Sequence, residues 1–254
     1  MILKISIKHF ALSIILYLCN MNARKIIMAI IAILAISSAK AQYYIQCEDT
    51  CNHIHGLDMS HYQGNVFWEA VGDNGRMYYV YLKATEGGNN IDKRYADNIR
   101  MAKAAGLKVG AYHFYRPRIP QIEQLHNFRA QCRPEDQDLL PMIDVETAGG
   151  LSASALCDSL HKFLILVEQE YKQKPLVYTY TNFYNRYLPG QLDGYKLMIA
   201  QYTADREPIL CDERDIFAWQ YTGKGHINGV NGFVDKSRLM GRHTMREIRF
   251  IHKR

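Results

Sequence analysis

The chain is short of several things. Its first 41 residues contain no aspartate or glutamate. Its two clear apolar runs, Phe10 to Leu18 and Ile26 to Ile36, are each shorter than the about 20 residues that a membrane-crossing helix needs. There is no internal repeat, low-complexity segment or interdomain linker, which excludes a solenoid and favours one domain. No pair of histidines or cysteines has a trusted zinc-ligand spacing; Cys47, Cys51, His53 and His55 come nearest, and a small disulfide loop or plain linker is the simpler reading. A charge surplus is also missing once the leader is set aside. The net charge is +6, from 31 basic and 25 acidic residues. Lys4, Lys8, Arg24, Lys25 and Lys40 lie in the leader, so 26 basic residues remain against the same 25 acids. Bulk charge therefore gives no support to nucleic-acid binding.

What the leader does have is the pattern of a secretory signal peptide. Arg24-Lys25 form a positive start, the Ile26 run follows, and Ala39-Lys40-Ala41 fits the small-x-small cleavage rule. Cleavage is expected before Gln42, with a secreted or periplasmic product and no stable membrane insertion afterwards. Met21 is an alternative start, and a membrane anchor built from both runs is the rival reading. The boundaries that follow are a leader over 1–41 with its signal-peptide core at 21–41, a linker over 42–53, a barrel domain over 54–240 and a basic tail over 241–254. Export allows disulfides, yet the mature chain keeps an odd five cysteines: Cys47, Cys51, Cys132, Cys157 and Cys211.

The remaining chain alternates strands and helices. Apolar segments predict strands at 55–59, 77–84, 107–115, 139–146, 175–181, 196–202, 216–221 and 232–235. Between them, Asp92 reads as the cap of a helix carrying Tyr95, Ile99 and Ala102, which Gly106 stops. Ile122, Leu125, Phe128 and Cys132 suggest a second helix. Leu156, Leu160, Phe163, Leu164, Val167 and Tyr171 make the clearest amphipathic pattern. Eight such strands predict an α/β fold, a TIM-like (β/α) barrel. The last connections are too short for full crossover helices. The barrel is therefore expected to be irregular and flattened, with short or missing helices in its C-terminal third and some antiparallel pairing.

The stretch Leu139-Leu140-Pro141-Met142-Ile143-Asp144-Val145-Glu146 organises the chemistry. Residues i and i+2 of a strand share a face, so Asp144 and Glu146 fall on one side, about 6.5–7 Å apart at the backbone. Carboxylates that close raise the pKa of one of the pair. One protonated and one ionised carboxyl is what glycoside hydrolysis needs. A solvated acid pair at a loop edge is the bland alternative. In parallel barrels, however, chemistry sits at the C-terminal strand ends, and there this chain places Asp58, Glu86, His113, Asp144, Glu146, Gln201 and Asp235. Tyr62, Tyr115, Tyr180 and Trp219 are candidate sugar platforms, since a ring offers both an apolar face and a polar tip. Each of them serves equally well as core.

These positions carry a family resemblance. Gly56-Leu57-Asp58-Met59-Ser60-His61-Tyr62-Gln63-Gly64 resembles the opening motif of the glycoside hydrolase family 25 lysozymes, which are N-acetylmuramidases. Tyr81-Leu82-Lys83-Ala84-Thr85-Glu86-Gly87 resembles their second-strand motif and Gly110-Ala111-Tyr112-His113-Phe114 their third. Asp144-Val145-Glu146 is similar to their catalytic pair. Trp219-Gln220-Tyr221-Thr222, Ile227-Asn228-Gly229-Val230-Asn231-Gly232 and Val234-Asp235 resemble their C-terminal signature. Met198 departs from it, standing where an aromatic is common. The resemblance spans roughly 54–240. It implies cleavage of the β-1,4 bond between N-acetylmuramic acid and N-acetylglucosamine in peptidoglycan. It also implies Glu146 as general acid and base, Asp144 as the assisting second carboxylate, and Asp58 and Asp235 lining the site; with Glu146 protonated as the acid, Asp144 is expected to stay ionised. No cofactor or metal is expected, and the working unit is expected to be a monomer on peptidoglycan glycan strands. A protein nucleophile, substrate assistance by the 2-acetamido group, and inversion all stay open. A metal-dependent wall deacetylase and a non-catalytic glycan-binding barrel are the alternatives.

Overall fold

The structure is a computed structural model that describes residues 53–203 and 206–252. The expected leader, its cleavage site, nearly all of the 42–53 linker, and Cys47 and Cys51 lie outside those residues. Strands β1 (His55–Met59), β2 (Met77–Glu86), β4 (Lys108–Phe114), β5 (Met142–Asp144), β6 (Leu176–Tyr180), β7 (Leu197–Ala200), β8 (Ala218–Gly225) and β9 (Val234–Leu239) close into a barrel through the pairing of β1 with β2. A two-residue strand, β3 (Asn90–Ile91), folds back antiparallel on the end of β2. Seven barrel strands run parallel. β9 is antiparallel to both its neighbours, β8 and β1, in line with the short late connections.

Helix content falls along the chain for the same reason. α1 (Trp68–Gly72), α2 (Tyr95–Ala104), α3 (Gln121–Gln131) and α4 (Ala153–Tyr171) cover the outside of the first strands. After β6 comes only α5 (Thr181–Tyr187), and the connection from β7 to β8 is irregular over its described residues. α4 is the longest. Ser152 caps it by accepting from the Ala155 N–H, and Leu156, Leu160, Phe163, Leu164, Val167 and Tyr171 form its buried face. Such a stripe is what anchors a helix on a barrel wall. α2 corrects one expectation. Its N-cap is Arg94, not Asp92. Asp92 lies two residues earlier, where one carboxyl oxygen accepts from the Arg94 N–H and the other from the His61 N–H and ring.

Two layers of core result. The larger lies between strands and helices. The smaller fills the barrel with Tyr79, Tyr81, Met142, Tyr178, Met198 and their neighbours. Glycine makes room for those rings. A Cβ on Gly56 would overlap the Tyr79 ring, and one on Gly110 the Tyr81 ring. Cys132, Cys157 and Cys211 are free thiols. Beyond residue 240, Ile248 and Phe250 are buried. The Phe250 N–H donates to the Asp138 carbonyl and the Leu140 N–H to the Ile248 carbonyl, so this part of the chain braces the lead-in to β5. Among the described residues, no helix is long and apolar enough to cross a membrane.

Candidate active site

The C-terminal strand ends open into a long cleft. Its middle is a small hollow of about 170 Å³ lined by Asp58, Lys83, Tyr112, Phe114, Asp144, Glu146, Tyr178, Gln220 and Asp235. One side continues, through Tyr62 and Lys83, into a groove beside Glu86 and Asp92. The other continues, through Glu146 and Tyr178, into a larger hollow of about 680 Å³ beside Tyr180, Asn182, Gln201, Tyr202 and Ile209. The acids thus lie along a trough with an arm on either side of them.

Register puts them there. Asp144 is the last residue of β5, with Phe114 of β4 and Tyr178 of β6 as its cross-strand neighbours. Glu146 lies two residues beyond the strand's end, rather than within it as expected. The backbone nevertheless stays tied in between, because the Val145 N–H donates to the Tyr178 carbonyl and the Thr179 hydroxyl to the Val145 carbonyl. Both carboxyls therefore keep to the inner face and share a hydrogen bond. Burial and the Glu146 charge hold the Asp144 carboxyl well above the usual carboxylate range. Burial raises Glu146 too, while its bond to Asp144 and the charges of Lys83 and Arg116 pull against that. Burial and mutual repulsion thus favour a pair that holds one proton between its two carboxyls.

Two further acids face the pair. Asp58 and Asp235 are direct partners across the antiparallel β1–β9 seam. Burial pushes Asp58 up to about 8, against the hydrogen bond from Gln220, and Asp235 adds to the rise. Asp235 is pushed up to about 6 by burial and by Glu146. One oxygen of Asp58 and one of Asp144, both Oδ1, are buried without a hydrogen-bond partner among the described residues. Unpaired buried acceptors of this kind carry a desolvation cost and mark a polar floor prepared for something else to occupy.

Cations are present but committed. Lys83 Nζ lies 2.6 Å from Glu86, and Arg116 pairs with the same carboxylate. Both cations sit over the Phe114 ring, at 5.2 and 4.5 Å from its centre. Burial alone would raise Glu86, yet these two partners outweigh it and hold its carboxyl below the usual range. His113 is a satisfied core residue: its ring bonds Thr85 at 2.7 Å and Gln124 at 3.0 Å, and burial lowers it to about 4.

The aromatic candidates divide. Tyr62 is 80% exposed and Tyr180 38% exposed, and both line the trough. Tyr115 does not belong to it. It is fully buried, stacked on Phe163, with its hydroxyl 2.6 Å from Ser159. Trp219 is also buried. It lies under the Arg238 guanidinium and donates from Nε1 to the Gln201 carbonyl at 2.9 Å. Strand parity explains this correction: Gln220 points into the barrel, so Trp219 must point out. Gln201 bridges the rim, accepting from Thr181 and donating to Thr203 and to the carbonyls of Arg206 and Glu207. Tyr178, Tyr202 and Gln220, polar residues at strand ends that the sequence did not single out as site candidates, line the trough, as does Tyr112. The inward parity of Asp58, Asp144 and Asp235 was the signal that could have found them. Among the described residues, no group of three or more His, Cys, Asp or Glu side chains is placed to hold a metal ion.

Residues 57–230 match the sequence model of the family described as Glycosyl hydrolases family 25. The chain is 33% identical over 189 residues to the uncharacterized protein YegX of Escherichia coli K12, covering 72% of this chain and 68% of that one. It is 34% identical over 180 residues to the autolytic lysozyme of Clostridium acetobutylicum, covering 71% and 54%. Among solved structures, the bacterial lysozyme from Streptomyces coelicolor aligns with a TM-score of 0.69 at 28% identity, covering 76% of this chain and 94% of that one.

Proposed function

The chain belongs to glycosyl hydrolase family 25, and on that footing we propose that Glu146 and Asp144 divide the proton work of cutting its glycan. The enzyme is a lysozyme, or N-acetylmuramidase, that hydrolyses the β-1,4 bond between N-acetylmuramic acid and N-acetylglucosamine of peptidoglycan. Neither the deacetylase nor the silent barrel is favoured by that membership.

One observation carries the assignment of roles: Asp144 and Glu146 line the same central hollow, with an arm of the trough on either side. Such a trough suits an enzyme that cuts within a chain. The pair enters the reaction with one proton between its two carboxyls. Glu146, the less buried, delivers it to the glycosidic oxygen as the bond to the sugar carbon breaks. The pair holds no second proton, so both carboxyls are left ionised. The negative charge left on the pair faces the oxocarbenium-like sugar, where a dry, preorganised anion stabilises most. Water then adds to the sugar carbon and its proton returns to the pair, which restores the starting state. Asp58 and Asp235 form the floor beneath the sugar, and Tyr62 and Tyr180 its stacking faces.

The test is Glu146→Gln on purified cell wall. A folded variant is expected to lose at least about 10²-fold in rate, as removal of a general acid does; release of reducing ends at near the native rate would remove Glu146 from this role. Residues 21–41 are read as the signal that sends a monomeric, cofactor-free enzyme out of the cytoplasm. Export of a product beginning at Gln42, found by N-terminal sequencing, is the outcome expected.

A further inference from the structure

Gln220 is almost wholly buried inside the barrel mouth, and its one amide meets three side chains from three places in the chain. Its Nε2 donates to Asp58 Oδ2 at 2.9 Å. Its Oε1 accepts from the Tyr178 hydroxyl at 2.8 Å and from the Tyr202 hydroxyl at 2.7 Å. A carbonyl oxygen has two lone pairs, and here both are used. Tyr202 is otherwise a rim residue, with 59% of its surface exposed along the larger arm of the trough. Its ring leans toward the barrel because Gly223 has no side chain: a Cβ there would come within 3.2 Å of both Tyr202 Cζ and Asp235 Oδ1.

We propose that Gln220 is a positioning residue of the reaction, one whose single amide locks the floor acid Asp58 and the rim phenol Tyr202 into the relative placement the sugar meets. The proposal rests on the reading that the acids of this mouth act on glycan. Gln220 is not a catalytic residue: it lines the hollow, but its amide is committed to Asp58, Tyr178 and Tyr202. Its effect on Asp58 is specific. Around that carboxyl stand Asp235 on β9, Tyr79 on β2, Tyr112 on β4, Asp144 on β5 and Tyr178 on β6. None is a cation, and Lys83, which lines the same hollow, is taken by Glu86. The Gln220 N–H is thus the hydrogen bond Asp58 Oδ2 receives, and it favours the ionised form.

The measurement is the pH profile of kcat and KM on soluble peptidoglycan fragments, for the full chain and for Gln220→Met, Gln220→Glu and Tyr202→Phe. Gln220→Met keeps the length of the side chain but removes donor and acceptor. Its limb governed by Asp58 should move to higher pH by about one unit, with KM raised several-fold. Gln220→Glu keeps an acceptor for both phenols, and while protonated it keeps an O–H for Asp58. It should be rescued at acidic pH and lose rate as that carboxyl ionises. Tyr202→Phe should raise KM and leave the limb where it is. Profiles of Gln220→Glu and Gln220→Met that parallel the native one, differing only in height, would overturn the proposal. If Gln220→Met does not fold, a pH-independent ratio of Gln220→Glu to native overturns it alone. Glu146→Gln is assayed alongside: its activity would sink the reading of the site itself, whereas its inactivity with an unmoved limb would sink only the role of Gln220.

Discussion

Asp58 and Asp235 sit directly opposite one another across the β1–β9 seam, two carboxyl groups in register at the mouth of the barrel. Both carboxyls titrate above their ordinary values, Asp58 at about 8 and Asp235 at about 6, chiefly through burial. An acid whose folded pKa is raised binds its proton more tightly folded than unfolded. It therefore stabilises the fold at low pH, and that contribution is lost as pH rises from about 4 toward the folded pKa.

Asp58→Asn should consequently be more stable than the native enzyme at pH 7, by roughly 4 kcal/mol for the three or so units between the unfolded value and pH 7, and little different near pH 4. Thermal melts at the two pH values check this. Activity should fall over the same substitution, a trade of the kind expected where a site is held against its own electrostatics. Equal melting temperatures for the two proteins at pH 7 would contradict it.

Asp144→Asn tests the shared proton. The pair titrates as a unit with two macroscopic values. An amide at 144 can still donate to Glu146 but removes the repelling charge, so one ionisation should vanish from the pH–rate profile. The alkaline limb should move to lower pH by about one unit, and the rate should drop by about 10²-fold.

The two classes of aromatic should separate by kinetics. Tyr62→Ala, on an exposed ring in the trough, should raise KM by about 10-fold, the worth of one stacking face, and leave the melting temperature unchanged. Tyr115→Phe should do the opposite. It removes only the hydroxyl bond to Ser159, costing about 1 kcal/mol of stability with KM unaltered.

Gly56→Ala should be among the most damaging small substitutions in the barrel. The added methyl overlaps the Tyr79 ring, and Tyr79 is fixed by its hydroxyl bond to Ser237 at 2.9 Å. Overpacking of this kind costs about 1–3 kcal/mol, which denaturant midpoints would read.

Strand positions and the convergence of acids were legible because each strand here is a short apolar run ending in a polar residue, and a parallel barrel gathers those ends. Inward and outward parity was legible in principle but was overruled by bulk. Trp219 drew attention as a platform, although Gln220, one residue on, shares its inner face with Asp58. Tyr115 was likewise placed in the cleft, although it lies past β4, whose inward residues are Tyr112 and Phe114. The raised titration of Asp144 could not be read from a local pattern. It depends on depth in the barrel, which comes from neighbours far away in sequence.

The closing seam has a consequence for how the enzyme comes into being. β1 opens the described chain, and β9 is made almost two hundred codons later; only their meeting brings Asp58 beside Asp235. A ribosome must therefore have released nearly all of the polypeptide before the barrel can close and its floor of two acids is complete. Nascent fragments ending before Val234 lack both Asp235 and the strand that seals the seam.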